Sequence, residues 1–323
     1  MIATEWRPSA TLEVLRRRAA MLGRIRAYFA EQGVVEVDTP LLSRAAVTDL
    51  HLESVPADVA GAGRMYLQTS PEYSMKRLLA AGLGDCFQVC HVFRDGERGT
   101  LHNPEFAMIE WYRLGFDLPR LMDDVEALLA RATAGLRTFA RAERITYRRA
   151  VLDHTGADPM TATERELLAA LARHAVDVPV SAAHDRDALL DLLVSTAVGP
   201  RLGRAAPAFL YDYPASQAAL ARVRPGEFPM AERFELYVDG VELANGFHEL
   251  ADPREQRSRF EADLAGRARR GQPARPMDER FLASLDHGMP ECAGVALGFD
   301  RLVMTALSLG SIDEAMAFPI ERA

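Results

Sequence analysis

The chain has 323 residues, 49% of them hydrophobic and 26% charged, a balance typical of a globular enzyme. Its formal net charge of −8 argues against a dedicated nucleic-acid binder, which carries an excess of Lys and Arg on one face. Three cysteines (Cys86, Cys90, Cys292) without zinc-ligand spacing, no signal-peptide pattern and no apolar run of membrane-spanning length give the expectation of a reduced, cytoplasmic protein with no membrane contact.

Pro8 and Ser9 precede a long amphipathic helix in which Leu12, Leu15, Ala19, Leu22, Ile25 and Phe29 recur at spacings of three and four, with arginines opposite. Gly33 stops it. A strand over residues 34–42 follows, and Pro40 ends it or puts it at an edge because proline cannot donate to a ladder. Residues 48–63 lack periodicity and read as a loop or a small hairpin. Residues 65–69 form a strand, and Ser70-Pro71-Glu72 opens a helix through Tyr73, Met75, Leu78 and Leu79. Ser-Pro-Glu is also an ordinary helix start.

The most informative stretch is the hairpin that comes next. A strand over residues 87–94, rich in β-branched and aromatic residues, leads through a loop over residues 95–104 to a second strand over residues 106–112. Alternation puts Ala107, Ile109 and Trp111 on an apolar face, and Phe106, Met108, Glu110 and Tyr112 on the other. A carboxylate and a phenol beside aromatic rings are costly to bury without a polar ligand. Arg94, His102 and Glu105 flank that face. The bland reading of Cys86-x-x-x-Cys90 is a pair of buried small apolar residues.

Helices are expected over residues 117–140, 161–175 and 185–198, punctuated by Pro179, Pro200, Gly203 and Pro207. No chemistry is legible in them. A strand resumes over residues 208–214. Asp239-Gly240 then marks a tight hairpin between residues 234–238 and 241–243. A two-residue turn pairs Val238 with Val241 and Tyr237 with Glu242, so Glu235 lies one diagonal step from Glu242 on the same face. Two close carboxylates with no Lys or Arg between them call for a cation, and a hard divalent ion takes such a pair together with phosphate oxygens. Glu242 and Asn245 are three apart, so both line one face only if the strand bulges, at Ala244 or Gly246. Near the C-terminus a small-residue strand runs through Ala296 to Gly298 and into a helix whose first turn holds Arg301.

These motifs carry a resemblance. The pattern from Phe93 to Tyr112, with His102-Asn103-Pro104-Glu105-Phe106 at its centre, resembles motif 2 of class II aminoacyl-tRNA synthetases in its lysyl form. The long first helix and the strand ending at Thr39-Pro40 resemble motif 1, and Gly298 to Arg301 resembles motif 3. The whole chain, including Ser216-Gln217, is similar to the short lysyl-synthetase paralogues that ligate (R)-β-lysine to elongation factor P. The fold implied is an α+β class II catalytic core, an antiparallel sheet flanked by helices. It would form one domain over residues 1–323, with a variable helical insertion at about 117–206 and a homodimer interface at motif 1. Too few residues precede the first helix for the anticodon-binding barrel of lysyl synthetases, so tRNA is not expected as a partner.

The resemblance also implies the chemistry: activation of lysine or β-lysine with ATP and Mg²⁺, then transfer to a lysine of elongation factor P. Arg94 and Arg301 would neutralise the phosphates as the catalytic pair. Asp95, Gly96, His102, Asn103, Phe106, Leu236 and Gly298 would complete the ATP site, and Glu235 and Glu242 would hold Mg²⁺. Ser70, Pro71, Glu72, Glu110, Tyr112, Glu242, Asn245, Phe247, Glu249 and Ala296 would bind the amino acid. An acidic pocket suits a diamino acid, since each desolvated ammonium needs a carboxylate. Two departures stand out: Gly96 occupies a position where lysyl synthetases carry glutamate, with Glu97 adjacent, and the loop arginine before the histidine is absent, with Arg98 upstream. Two other readings stay open, a free-standing lysine-activating enzyme serving tRNA or a carrier protein, and a non-catalytic regulatory subunit.

Overall fold

The computed structural model describes residues 6–180 and 182–323. In chain order, α1 (Leu12–Glu31) leads into short strands β1 (Val35–Glu36) and β2 (Leu42–Ser43), the hairpin β3 (Pro56–Val59) and β4 (Gly63–Leu67), and α2 (Glu72–Ala80). The site hairpin forms as β5 (Cys86–Phe93) and β6 (Glu105–Leu114), followed by α3 (Leu118–Ala132), β7 (Glu143–Thr146), α4 (Tyr147–Thr155), α5 (Glu164–Arg173) and α6 (Arg186–Leu193). Strands β8 (Ala208–Pro214), β9 (Val223–Arg224), β10 (Met230–Val238) and β11 (Val241–His248) come next. Helices α7 (Pro253–Arg269) and α8 (Glu279–His287), strand β12 (Cys292–Gly298) and helix α9 (Phe299–Ala306) follow. The chain divides into two compact units, one of Met1–Phe116, Ala127–Arg137 and Ala251–Ala323, the other of Asp117–Glu126 and Thr138–Leu250.

In the first unit the strands run in the order β1-β5-β6-β12, antiparallel except for the β1–β5 pair. Thr11 caps α1 by accepting the Val14 N–H at 3.2 Å. The helix docks through Met21, Ile25, Tyr28 and Phe29. Phe29 stacks on Phe87 at 4.2 Å and meets Trp111 edge-on at 5.5 Å, so the apolar face of the site hairpin is sealed by aromatic packing. Leu12 and Ala19, expected in the buried stripe, are exposed because the N-terminal half of α1 has less to pack against. The strand expected over residues 34–42 is reduced to β1 and β2, interrupted around Pro40. The segment over residues 48–63 contributes β3, which pairs with β4 as a small hairpin.

The second unit has the order β11-β10-β8-β7, with β9 beside β10 and only the β7–β8 pair parallel. Leu167, Ala170 and Leu171 of α5 pack with Leu189, Leu190 and Leu193 of α6, as their helical spacing dictates. The insertion is helical as its periodicity suggests, but α3 stops at Ala132, and β7 and α4 were not legible. A four-residue strand of sequence Glu-Arg-Ile-Thr shows no clear alternation of apolar residues. Burial pushes the thiols of Cys86 and Cys90 up to about 12, in keeping with packing rather than reactivity. Among the described residues no helix is long and apolar enough to cross a membrane.

Candidate active site

In the first unit, β6 delivers Glu110 and Tyr112 to one face. Strand β12 sets Ala296 opposite Glu110 and Gly294 opposite Tyr112, and β5 places Gln88 on the other side of Glu110. Glu110 is only 2% exposed. The Tyr112 hydroxyl donates to one of its oxygens at 2.6 Å and the Ser70 hydroxyl to the other at 2.6 Å. Burial pushes the Glu110 carboxyl up to about 7, and the neighbouring Glu72 adds to the rise against the pull of the two hydroxyls. Ser70 also accepts the Glu72 N–H at 3.0 Å, and Pro71 is the N-cap of α2. The Ser-Pro-Glu turn is therefore both a helix start and the link between Glu72 and Glu110.

Two residues of this pocket were missed by sequence reasoning. Lys76, one helical turn after Glu72, is fully buried and donates to Glu72 at 2.6 Å. The i, i+4 spacing is the signal that could have found it. Gln88, 1% exposed, accepts a hydrogen bond from Thr39 at 2.9 Å, which ties the Thr39-Pro40 turn to the strand beside Glu110. Helix α2 is held in place by Tyr73, whose ring stacks on Phe281 of α8 at 4.8 Å.

The loop between β5 and β6 carries Arg94 and Arg98. Arg94 lies over the Phe106 ring, 5.1 Å from its centroid, with Glu97 at 3.7 Å. Glu97 thus stands beside the arginine where Gly96 has no side chain to offer; Gly96 instead adopts φ 78°, a turn conformation suited to glycine. The Asp95 N–H donates to the Glu53 carbonyl at 2.8 Å. Arg301 donates to the Leu101 carbonyl at 3.1 Å and lies 2.7 Å from Nε2 of His102. Burial and the adjacent Arg301 lower the His102 pKa, which keeps the imidazole neutral and able to accept. Asn103 is buried, with its amide on the Glu105 carbonyl at 2.6 Å and its oxygen on the Ile320 N–H at 3.0 Å. Arg98 is clamped by Asp313 and Glu321 near the C-terminus. Gly298 pairs with Met108, and Asp300 beside Arg301 accepts the Ala107 N–H at 2.6 Å.

In the second unit the register of the Asp-Gly hairpin is Val238↔Val241 and Tyr237↔Glu242, as expected. The next pair is Leu236↔Ala244, which leaves Leu243 as the extra residue of a bulge. The bulge thus lies one residue before Ala244, and Gly246 has another role: a Cβ there would sit 2.4 Å from the Phe234 ring. Past the bulge, Glu235 pairs with Asn245 and Arg233 with Phe247. Glu242, Asn245 and Phe247 therefore join Glu235 on one face. Leu236 points to the other side and is fully buried, so only its backbone is available there.

Glu235, 8% exposed, accepts from Arg233 at 2.6 Å and from the Tyr237 hydroxyl at 2.6 Å. No Lys or Arg lies between Glu235 and Glu242, as read, but Arg233, two residues before Glu235 on the same strand, serves as its counter-ion. Period-two alternation was the available signal. Arg233 also donates to Asn245 at 3.2 Å and lies 4.3 Å from the Tyr213 ring centroid. Glu249 follows the end of β11 and is 4% exposed. Each carboxylate oxygen has a second lone pair, so Glu235 and Glu242 keep the capacity to ligate a hard cation. Among the described residues no cluster of three or more His, Cys, Asp or Glu forms a metal site.

Residues 3–322 match the family described as tRNA synthetases class II (D, K and N). A Vibrio cholerae protein named elongation factor P–(R)-beta-lysine ligase is 48% identical over 328 residues, covering 100% of both chains. Proteins of the same name from Vibrio parahaemolyticus and Hamiltonella defensa are each 47% identical, over 98% and 99% of both chains. The chain belongs to the class II tRNA synthetases of the D, K and N type.

Proposed function

We propose that this protein activates (R)-β-lysine with ATP and ligates it to a lysine side chain of elongation factor P. Full-length similarity to several proteins named for that ligation supports the reading. The site observation that carries it is the buried Glu110, set between two hydroxyl donors and facing Ala296. A desolvated carboxylate whose proton is easily displaced near neutral pH is a receptor for an ammonium group. Glu72, joined to Glu110 through Ser70, gives this face a second carboxylate, as a diamino acid requires.

In the first step a carboxylate oxygen of the amino acid attacks the α-phosphorus of ATP, forming an acyl–phosphate bond as the bond to pyrophosphate breaks. Arg94, already seated on the Phe106 ring, would neutralise charge on the α-phosphate, and Phe106 would stack on adenine. Arg301, oriented by the neutral His102, would hold the terminal phosphates with its fixed fork of donors. Glu235 and Glu242 would hold Mg²⁺, which supplies charge neutralisation on the phosphates. In the second step an uncharged lysine amine of the acceptor attacks the acyl carbon, AMP leaves, and an amide remains. No enzyme nucleophile is required; positioning and preorganised charge carry the rate.

Exposed Leu12, Val35 and Leu41 around α1 and β1 support a homodimer through this segment, and the three thiols, none in a disulfide, suit a reducing cytoplasm. ATP–pyrophosphate exchange with a panel of amino acids tests the activity. Mg²⁺-dependent exchange strongest with a diamino acid supports it, and exchange with none of them contradicts it.

A further inference from the structure

The helical insertion has no assigned chemistry, yet the second unit runs an unbroken line of polar contacts from it to Glu235. Asp191, on α6, accepts the side-chain N–H of Gln217 at 2.8 Å. One turn earlier on the same helix, Asp187 accepts the Ser216 hydroxyl at 2.7 Å. Together they fix the short turn Ala215–Gln217 that follows β8. The backbone carbonyl of Gln217 accepts from Arg233 at 2.9 Å, and Arg233 in turn donates to Glu235 at 2.6 Å and Asn245 at 3.2 Å. The insertion also supports Arg233 from below. The guanidinium lies on the Tyr213 ring, and that ring packs against Tyr147 of α4 at 4.7 Å.

A guanidinium can be aimed by its surroundings because its donors are fixed in a plane. Here the Gln217 carbonyl and the Tyr213 face set that plane, and Glu235 and Asn245 receive the remaining donors. Without Asp191 the turn loses one of its anchors to α6, the Gln217 carbonyl is free to drift, and Arg233 can swing with it. Glu235 would then sample orientations that do not present an oxygen to a metal ion.

We infer that the insertion is a positioning device for the cation site, acting from Asp191 through Gln217 and Arg233 to orient Glu235. The inference rests on the assignment of Glu235 and Glu242 to a divalent ion on ATP. Asp191 and Gln217 touch neither metal nor substrate in this account; they act only through Arg233.

The test is Mn²⁺ binding, followed by the loss of the free-ion EPR signal in the presence of ATP and without amino acid, so that no turnover is read. Asp191→Ala should weaken Mn²⁺ binding by roughly 10-fold, the lower end of what losing the support of a ligating group costs. Asp191→Asn, which keeps an acceptor for Gln217, should bind like wild type. Gln217→Met removes this hydrogen bond from its other end, together with the longer contact of the same amide to the Asp187 carbonyl at 3.4 Å. It should weaken binding at least as much as Asp191→Ala, and the double variant should be no worse than Gln217→Met alone, as expected for groups acting through one contact. In exchange assays the half-saturating Mg²⁺ should rise while the rate at saturating Mg²⁺ is retained. If Asp191→Ala fails to fold, Gln217→Met carries the test alone. Wild-type Mn²⁺ affinity in Asp191→Ala or Gln217→Met, weakened binding in Asp191→Asn equal to that of Asp191→Ala, or full additivity in the double variant overturns the inference. Absence of ATP-dependent Mn²⁺ binding in the wild type overturns the Glu235 and Glu242 assignment itself, and the inference with it.

Discussion

A carboxylate oxygen of Asp300 accepts the backbone N–H of Ala107 at 2.6 Å. The contact joins the start of the helix that carries Arg301 to the strand that carries Phe106, and the other Asp300 oxygen is held by Arg18 of α1. Asp300 is 1% exposed, so both partners lose a buried acceptor if it is removed. Asp300→Ala should cost about 1.5–3 kcal/mol in urea unfolding, the scale for hydrogen bonds to charged groups. Arg301→Ala should instead leave unfolding near wild type and lower ATP–pyrophosphate exchange by roughly 10²-fold, as for loss of a preorganised charge contact. Near-wild-type exchange by Arg301→Ala would remove Arg301 from the phosphate site.

The Glu110 carboxyl, pushed up to about 7 by burial and by Glu72, gives a pH dependence with a definite sign. Because the folded value exceeds the unfolded one, Glu110 favours folding below its unfolded pKa, and that contribution is lost as pH rises through about 7. Ammonium binding requires the carboxylate and so releases the proton. Below about pH 7 the KM for the amino acid should rise by up to about tenfold per pH unit, the linkage limit for one proton. Glu110→Gln should bind weakly with no such slope. A KM constant across this range in the wild type would contradict the role.

Ala296 pairs directly with Glu110 across β12 and β6, so its methyl group lies on the same face of the sheet as the Glu110 carboxyl, where the proposed amino-acid site would be. It would crowd an amino group on the α carbon and leave room for one placed a carbon further out. Ala296→Gly should therefore raise exchange with α-lysine relative to (R)-β-lysine, by the equivalent of about 1–3 kcal/mol for one methyl group. An unchanged ratio would separate specificity from this residue and leave the activation chemistry intact.

How much of this was legible depends on whether the signal was local. The β5–β6 hairpin and the Tyr237↔Glu242 register follow from period-two alternation and an Asp-Gly turn, both readable within a few residues. Leu243 as the bulged residue could not be read, because a bulge is set by packing across strands. Gly246 looked like the irregular position only because its actual neighbour, the Phe234 ring, lies on the partner strand. Lys76 and Arg233 escaped for another reason. Each is one structural repeat from its carboxylate, but acidic residues drew the inference and their internal counter-ions did not.

Gly246 supplies a stability test of that packing. A Cβ there would meet the Phe234 ring at 2.4 Å, and a buried ring in a sheet has little freedom to retreat. Gly246→Ala should destabilise by about 1–3 kcal/mol, the usual cost of overpacking, read from urea or thermal unfolding. Wild-type stability would mean that the strands separate there without penalty.

The acceptor decides the account most directly. The protein should be incubated with ATP, Mg²⁺ and (R)-β-lysine, together with purified elongation factor P and total tRNA in one mixture, and both products analysed by mass spectrometry. One β-lysyl addition on a single lysine-containing peptide of elongation factor P, with tRNA unchanged, is the predicted result. Unmodified elongation factor P together with aminoacylated tRNA would contradict the ligase and establish a free-standing synthetase instead.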